Sequence, residues 1–249
     1  MKLAYALVSL ALLSCSYRTN TAPIKNTIQI MSDDGIKIYA DTYFENNDSL
    51  KPIILLCHQA GYSRGEYLEI APRLNSLGID CIAIDQRSGS EINGIKNETA
   101  RQAKQKNLPV DYISAKADIS TAVDFLFYTY HRKIIVWGSS YSATLALHIA
   151  NEKNNVAACV AFSPGEYFEN PNYLKQALDS MHKPCFITSA QNESLEIQSL
   201  LPKNKRTITQ FIPNVEGKHG SSALWKNTTG NADYWEALEI FLRQEKFIE

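Results

Sequence analysis

Short, almost wholly apolar segments alternate with helical patterns along most of this sequence. Five such segments lie at residues 52–57, 79–84, 133–137, 157–162 and 185–188. Segments that are apolar on both faces are typical of parallel strands covered by helices on both sides. The alternation of these strands with helices predicts one doubly wound, mostly parallel α/β sheet with right-handed crossovers.

The two edges of the predicted sheet have a different pattern. Residues 27–30 and 36–40 alternate apolar and polar side chains on either side of a turn that ends at Gly35, which predicts a hairpin at one edge. Residues 207–212 alternate in a similar way and predict an edge strand near the end of the chain. The sheet is therefore expected to begin with a hairpin and to continue as parallel strands.

Helical patterns fill most of the segments between the strands. Apolar residues recur at helical spacing in residues 67–77, 117–127, 143–150 and 234–242. Residues 88–109 form the longest segment without an obvious pattern, and we expect a polar surface loop close to the functional site. No internal repeat or change in composition divides the chain, so residues 27–249 are expected to form one domain.

The composition excludes several classes of partner. With 45% hydrophobic and 20% charged residues, the chain has the balance of a globular protein. Its net charge is −1 and it has no basic stripe, so we expect no nucleic-acid partner. Four cysteines are expected to pack as small buried hydrophobic residues, and no two have the spacing of a metal-ligand pair: Cys57, Cys81, Cys159 and Cys185. Neither a metal nor another cofactor is predicted.

The first fifteen residues have the pattern of an export signal. The apolar run at residues 3–13 is shorter than the ~20 residues that cross a bilayer, but it fits the core of a signal peptide. Leu-Leu-Ser-Cys at residues 12–15 resembles the lipobox of bacterial lipoproteins. The resemblance implies a signal peptide at residues 1–14, lipidation of Cys15, a tether at residues 15–26 and a membrane anchor in a bacterial cell envelope. The alternative is ordinary secretion with cleavage nearby.

One octapeptide has the pattern of a catalytic turn. Residues 136–143, Val-Trp-Gly-Ser-Ser-Tyr-Ser-Ala, lie between a predicted strand and a predicted helix. Small residues at Gly138 and Ser142 flank Ser140 at the spacing of a nucleophile elbow, the sharp turn that raises a serine oxygen above the sheet. Ser140 is therefore the candidate nucleophile.

A serine nucleophile needs a general base and an acid that orients this base. His219 is the candidate base, because it lies among loop-type glycines ahead of the last predicted helix. The candidate acid is Glu193, which is the only carboxylate in the turn after residues 185–188. Glu166, which follows the preceding strand, is the alternative acid.

Acyl transfer also needs backbone donors for the oxyanion of the tetrahedral intermediate. The N–H group of Tyr141 is one candidate, because Tyr141 starts the helix after the nucleophile. The second donor is expected from residues 58–61, His-Gln-Ala-Gly, whose small residues let the backbone approach a substrate.

These motifs carry a family resemblance. Residues 56–67, Leu-Cys-His-Gln-Ala-Gly-Tyr-Ser-Arg-Gly-Glu-Tyr, resemble the His-Gly-x-Gly oxyanion segment of α/β-hydrolases, particularly the branch of monoacylglycerol lipases and serine aminopeptidases. Residues 84–89 resemble the Asp-x-Arg-Gly turn that follows the fourth strand in the same families. The resemblance covers almost all of residues 27–245. It implies an eight-stranded sheet of order 1-2-4-3-5-6-7-8 with only the second strand antiparallel, and oxyanion donors at Ala60 and Tyr141.

The chain departs from this family pattern at two positions. Gln59 stands where the family usually has glycine, and Ser142 stands where the elbow usually ends in glycine. Only residues 164–183 separate the sixth and seventh strands, too few for a substantial cap domain, so an open site is expected. Asp85 and Arg87 are interpreted as a structural ion pair that braces the oxyanion loop.

The motifs favour a serine hydrolase that cleaves carboxylic esters through an acyl-enzyme on Ser140. Five aromatic residues expected near the mouth suit a modest acyl or aryl group: Tyr62, Tyr141, Tyr167, Phe168 and Trp225. One alternative is a peptidase or amidase with the same triad, for which Glu166 is the only candidate to bind a substrate amine. Another is a surface lipoprotein whose hydrolase fold only binds a ligand. A dienelactone-hydrolase-like activity is not favoured, because that family typically has cysteine at the elbow.

Overall fold

The computed structural model describes residues 25–45, 50–203 and 206–249. The strands of this part of the chain are β1 (Lys25–Met31), β2 (Lys37–Tyr43), β3 (Ile53–Cys57), β4 (Cys81–Ile84), β5 (Glu91–Ile92), β6 (Ile95–Lys96), β7 (Ile134–Ser139), β8 (Val156–Phe162), β9 (Cys185–Thr188) and β10 (Ile208–Phe211). The two shortest, β5 and β6, form a hairpin of their own, and the other eight form one sheet.

The order of the large sheet is β1-β2-β4-β3-β7-β8-β9-β10. Strand β2 runs antiparallel to both of its neighbours, and all other pairs are parallel. The strand order and the single antiparallel strand confirm the prediction. In the centre of the sheet Cys57 of β3 is paired with Gly138 of β7, so the loops after these two strands leave the sheet side by side.

Helices cover both faces of the sheet. They are α1 (Ile70–Ser76), α2 (Glu98–Gln105), α3 (Ala115–Tyr130), α4 (Tyr141–Glu152), α5 (Tyr173–Ser180), α6 (Ser194–Leu200) and α7 (Asn231–Gln244). Alternate side chains of β3 enter opposite cores: Ile53 and Leu55 pack with α3 and α4, whereas Ile54 and Leu56 pack with α1 and α7. Burial on both faces is the physical reason why the central strands are apolar throughout.

The segment at residues 88–109 is more ordered than the sequence pattern predicted. It contains the β5–β6 hairpin and α2, so the prediction of a loop without structure was wrong. Helix α2 begins where the Asn97 side chain accepts the N–H of Ala100 at 2.7 Å, which caps the helix. Its buried apolar residues are only Ala100 and Ala103, which leaves the apolar periodicity too weak to detect.

The predicted ion pair between Asp85 and Arg87 was also wrong. The Asp85 carboxylate accepts a hydrogen bond from the guanidinium of Arg64 at 2.6 Å, whereas Arg87 donates to Asp118 of α3 at 2.7 Å. The two side chains leave the end of β4 towards different elements, the short 3₁₀ helix Arg64–Tyr67 and helix α3. Asp85 nevertheless braces the segment after the oxyanion loop, because it also accepts the backbone N–H of Arg64 at 2.8 Å.

The described residues form no substantial cap domain over the carboxyl edge of the sheet. Residues 163–184 are all described, and α5 is the only α-helix among them, which confirms the prediction that no substantial cap domain is present. Cys57, Cys81, Cys159 and Cys185 are free and buried, as their predicted packing requires. The predicted signal peptide and Cys15 lie outside the described residues. In the described ranges, no helix is long and apolar enough to cross a membrane.

Candidate active site

Ser140 lies on a strained turn between β7 and α4. Its backbone has φ 60° and ψ −126°, a conformation that non-glycine residues rarely adopt. The turn also explains Gly138: a Cβ atom there would lie 2.2 Å from the carbonyl oxygen of Ser142 and 2.4 Å from the backbone nitrogen of Ala143. Ser142 is small enough for this approach, and its hydroxyl accepts the N–H of Ser139 at 2.9 Å. The local geometry is that of a nucleophile elbow.

Three side chains that are far apart in sequence meet at this turn. The His219 Nε2 atom lies 2.8 Å from Ser140 Oγ, and the His219 Nδ1 atom lies 2.5 Å from Glu193 Oε1. Glu193 follows β9 in the 3₁₀ helix Gln191–Glu193, and His219 lies in the loop between β10 and α7. The structure therefore brings together the candidate nucleophile, base and acid in one hydrogen-bonded row.

The Glu193 carboxylate is held in its ionised form. Its Oε2 atom accepts hydrogen bonds from Ser163 Oγ at 2.6 Å and from the N–H of Ala190 at 3.2 Å. Burial raises the pKa of Glu193, but the hydrogen bonds from His219 and Ser163 outweigh burial and leave the pKa below its usual value. An ionised carboxylate at this place fixes the imidazole tautomer and stabilises the imidazolium that forms during proton transfer.

The alternative acid, Glu166, is used elsewhere. Its two carboxylate oxygens accept the N–H groups of Leu174 at 2.8 Å and Lys175 at 3.0 Å, at the start of α5. Negative charge at the first turn of a helix satisfies free N–H groups and complements the helix dipole. Of the two carboxylates considered, the structure places Glu193 against the imidazole.

Two backbone N–H groups beside Ser140 are free to bind an oxyanion. Among the described residues, neither Ala60 N–H nor Tyr141 N–H has a protein acceptor. Tyr141 is the first residue of α4, and Ala60 lies in the loop after β3, next to the loop after β7 in the sheet. Free donors at a helix start and in the adjoining loop fit the predicted oxyanion hole.

A second histidine, His58, was not predicted as a site residue. It is fully buried, and burial lowers its pKa to about 4, so its imidazole is neutral. The Nδ1 atom donates to the carbonyl of Gln59 at 2.9 Å, while Nε2 accepts from the backbone N–H of Gln86 at 3.1 Å and lies 3.1 Å from the Asn97 amide. His58 thus holds the oxyanion loop from the side of the core. The sequence motif at residues 58–61 indicated the loop but not this role of the His58 side chain.

Tyr167 separates two cavities beside the triad. The larger, about 550 Å³, has mainly aromatic and apolar walls: Asp111, Tyr112, Ile113, Tyr167, Phe168, Glu169, Asn170 and Tyr173. The smaller, about 300 Å³, reaches His219 and Glu193. Tyr112 stacks on Tyr141 with ring centroids 4.4 Å apart, so one wall residue of the larger cavity contacts the first residue of α4.

The five aromatic residues that were predicted near the mouth of the site do not line one common cavity. Tyr167 and Phe168 line the larger cavity, whereas Tyr141 is fully buried. Tyr62 stacks on Trp225 with centroids 6.2 Å apart, and neither lines the two cavities. Within the described part of the chain, no group of three His, Cys, Asp or Glu side chains is arranged to hold a metal ion.

Comparisons with known proteins identify the fold. No protein-family model and no curated protein sequence matches the chain. Among solved structures, an esterase of Pyrococcus furiosus has a TM-score of 0.64 at 17% identity, covering 89% of this chain and 90% of its own. A dienelactone hydrolase of Anabaena variabilis has a TM-score of 0.65 at 17% identity, covering 90% and 99%. A hyperthermophilic esterase of Pyrobaculum calidifontis has a TM-score of 0.60 at 15% identity, covering 91% and 86%. The chain has the α/β-hydrolase fold.

Proposed function

We propose that this protein is a serine hydrolase that cleaves carboxylic esters through an acyl-enzyme on Ser140. The observation that carries the proposal is the hydrogen-bonded row of Ser140, His219 and Glu193. Its Ser140 end lies beside two backbone N–H groups for which the described residues supply no acceptor. A fold with this likeness hosts many activities, so the proposal rests on the site rather than on the fold. The site of a pure binding protein would not need the strained serine or its complete hydrogen-bonded row.

The geometry supports a two-step reaction. His219 Nε2 accepts the Ser140 proton as Ser140 Oγ attacks the ester carbonyl, and the N–H groups of Ala60 and Tyr141 hold the oxyanion. The imidazolium, stabilised by Glu193, then donates its proton to the leaving alcohol, and the acyl group stays on Ser140. A water molecule enters by the same route: His219 takes its proton, and the carboxylic acid leaves as Ser140 recovers its own.

The larger cavity indicates the size of the acyl or alcohol group. Its volume of about 550 Å³ and its walls of Tyr112, Tyr167, Phe168 and Tyr173 suit an aryl or short acyl group. The structural neighbours that are esterases are consistent with ester substrates. Glu166, the candidate amine site of a peptidase, already binds two N–H groups of α5, which favours esters over aminoacyl amides.

A substrate panel tests this assignment. We expect measurable turnover of p-nitrophenyl acetate, butyrate and benzoate. For aminoacyl p-nitroanilides, kcat/KM should be lower by at least about 100-fold, because their poor leaving group needs a positioned proton donor. From acetate to butyrate, KM should fall because each buried CH₂ contributes about 0.8 kcal/mol, and it should level off when the chain outgrows the cavity. Faster turnover of amides than of esters would instead establish a peptidase or amidase.

We further propose that the mature protein is a lipoprotein with acyl chains on Cys15. The support is the apolar run at residues 3–13 followed by Leu-Leu-Ser-Cys. In a bacterial host, Cys15→Ala is expected to move the protein from the detergent phase to the aqueous phase in detergent partitioning, because one or two acyl chains supply the anchor. Thr19→Ala, in the same segment, should partition like the wild type. Full detergent partitioning of Cys15→Ala would refute lipidation.

A further inference from the structure

Glu66 is a buried carboxylate that the reaction described above does not use. It lies in the 3₁₀ helix Arg64–Tyr67, which follows the oxyanion loop, and none of its surface is exposed. A fully buried carboxylate is uncommon unless it is paired or accepts several hydrogen bonds. The bonds that Glu66 makes lead directly to the segments that carry the catalytic groups.

The two oxygens of Glu66 contact two of these segments. Oε2 accepts the backbone N–H of Gln59 at 2.8 Å, one residue before the oxyanion donor Ala60. Oε1 accepts the hydroxyl of Ser139 at 2.8 Å, one residue before the nucleophile Ser140. One side chain therefore sets the distance between the oxyanion loop and the nucleophile turn.

A third segment joins through Ser139. The Ser139 Oγ atom accepts the backbone N–H of Ser221 at 2.8 Å, two residues after His219. Because the hydroxyl of Ser139 receives this N–H, its own hydrogen is free to point at Glu66 Oε1. Gly220, between His219 and Ser221, has φ +69°, and a Cβ there would lie 2.5 Å from Ser139 Oγ, so the histidine loop passes close against this bridge.

We propose that Glu66 is a positioning residue that fixes the oxyanion loop, the nucleophile turn and the histidine loop relative to one another. The inference rests on the proposed hydrolase function, since it concerns the same site. Glu66 does not reach the reacting atoms in this arrangement; it acts through Gln59 and Ser139. Displacements of about 1 Å within such a site can cost on the order of 100-fold in rate.

The ionised form of Glu66 fits this role, because both oxygens then act as acceptors. Burial raises its pKa to about 7, although the hydrogen bonds from Gln59 and Ser139 and the nearby His219 act in the opposite direction. The other titratable groups that face it are Tyr62, Tyr67 and Cys57. If the Glu66 carboxyl is protonated and still accepts the N–H of Gln59, its O–H group must donate to Ser139 Oγ instead of accepting from it. The hydroxyl hydrogen of Ser139 then loses its acceptor. We therefore expect the positioning to weaken as the pH falls below neutrality.

Glu66→Gln and its control Glu69→Gln test the proposal on p-nitrophenyl butyrate. The amide imposes the reversed bond at every pH, so kcat of Glu66→Gln should fall at least about 10-fold with KM within about threefold. Glu66 contributes part of the fall in kcat as the pH drops below neutrality, and this part should be absent from the pH profile of Glu66→Gln. Glu69 is exposed and lies three residues away, and its only acceptor role among the described residues is for the N–H of Lys226, so Glu69→Gln should stay within about twofold of the wild type.

Three outcomes are separable. Wild-type kcat and an unchanged pH profile in Glu66→Gln would overturn the positioning role. Labelling of Ser140 by a fluorophosphonate probe would, in that case, still support the hydrolase proposal. Absence of this labelling in the wild type would overturn the hydrolase proposal itself. If Glu66→Gln does not fold, Ser139→Ala removes the same bridge from the other end and should lower kcat about 10-fold with little change in KM. A Ser139→Ala protein with wild-type kcat would likewise refute the proposal.

Discussion

Ser140→Ala is expected to lower the rate of ester hydrolysis by about 10⁴-fold or more and to abolish labelling by a fluorophosphonate probe. Without Oγ there is no nucleophile for the acyl-enzyme, and His219 has no proton to accept. The remaining oxyanion donors and cavity can still bind substrate, so KM should change far less than kcat. Initial rates with p-nitrophenyl butyrate and gel-based probe labelling measure both quantities.

The loss in Ser140→Ala should reflect chemistry rather than unfolding. The side chain of Ser140 bonds to His219 and to Tyr167, and the elbow is held by backbone and by Ser142, which remain. Thermal unfolding by circular dichroism should therefore be close to that of the wild type. Ser180→Ala, an exposed serine of α5, serves as the control and should keep full activity. Undiminished labelling of Ser140→Ala would place the nucleophile on another residue.

The parts of this molecule that sequence patterns predicted share one physical property. Strands of the central sheet must be apolar on both faces, and the elbow must have small residues where its backbones approach, as at Gly138. These are local requirements, so they are visible in the order of the residues. Ser140, His219 and Glu193 could be named because the loops after successive parallel strands leave the sheet at the same edge.

The parts that sequence patterns missed depend on contacts between distant segments. Asp85 and Arg87 are two residues apart, yet their partners are Arg64 and Asp118, which only the folded chain brings near. Glutamate usually lies at the surface and histidine is intermediate, so nothing local indicates that His58 and Glu66 are both fully buried. Their burial follows from hydrogen bonds that the rest of the fold supplies.

Glu193→Gln is expected to lower kcat by about 10⁴-fold, whereas Glu166→Gln should leave kcat within about twofold of the wild type. In Glu193→Gln, the amide oxygen must take the place of Oε2, because the Ser163 hydroxyl and the Ala190 N–H both donate to that position. The amide NH₂ is then directed at His219 Nδ1, which must accept it. The imidazole consequently carries its proton on Nε2 and cannot receive the proton of Ser140.

Glu166→Gln provides the matched control for this effect, because it makes the same isosteric change one loop away. A single amide oxygen accepts only one of the two N–H groups at the start of α5, so the free energy of unfolding should fall by about 1 kcal/mol. Urea denaturation measures this change, and p-nitrophenyl butyrate hydrolysis measures the activities. A large loss of kcat in Glu166→Gln, together with wild-type kcat in Glu193→Gln, would assign the role of the acid to Glu166. The reason is that proton transfer depends on the tautomer of His219, and only the carboxylate that orients His219 controls this tautomer.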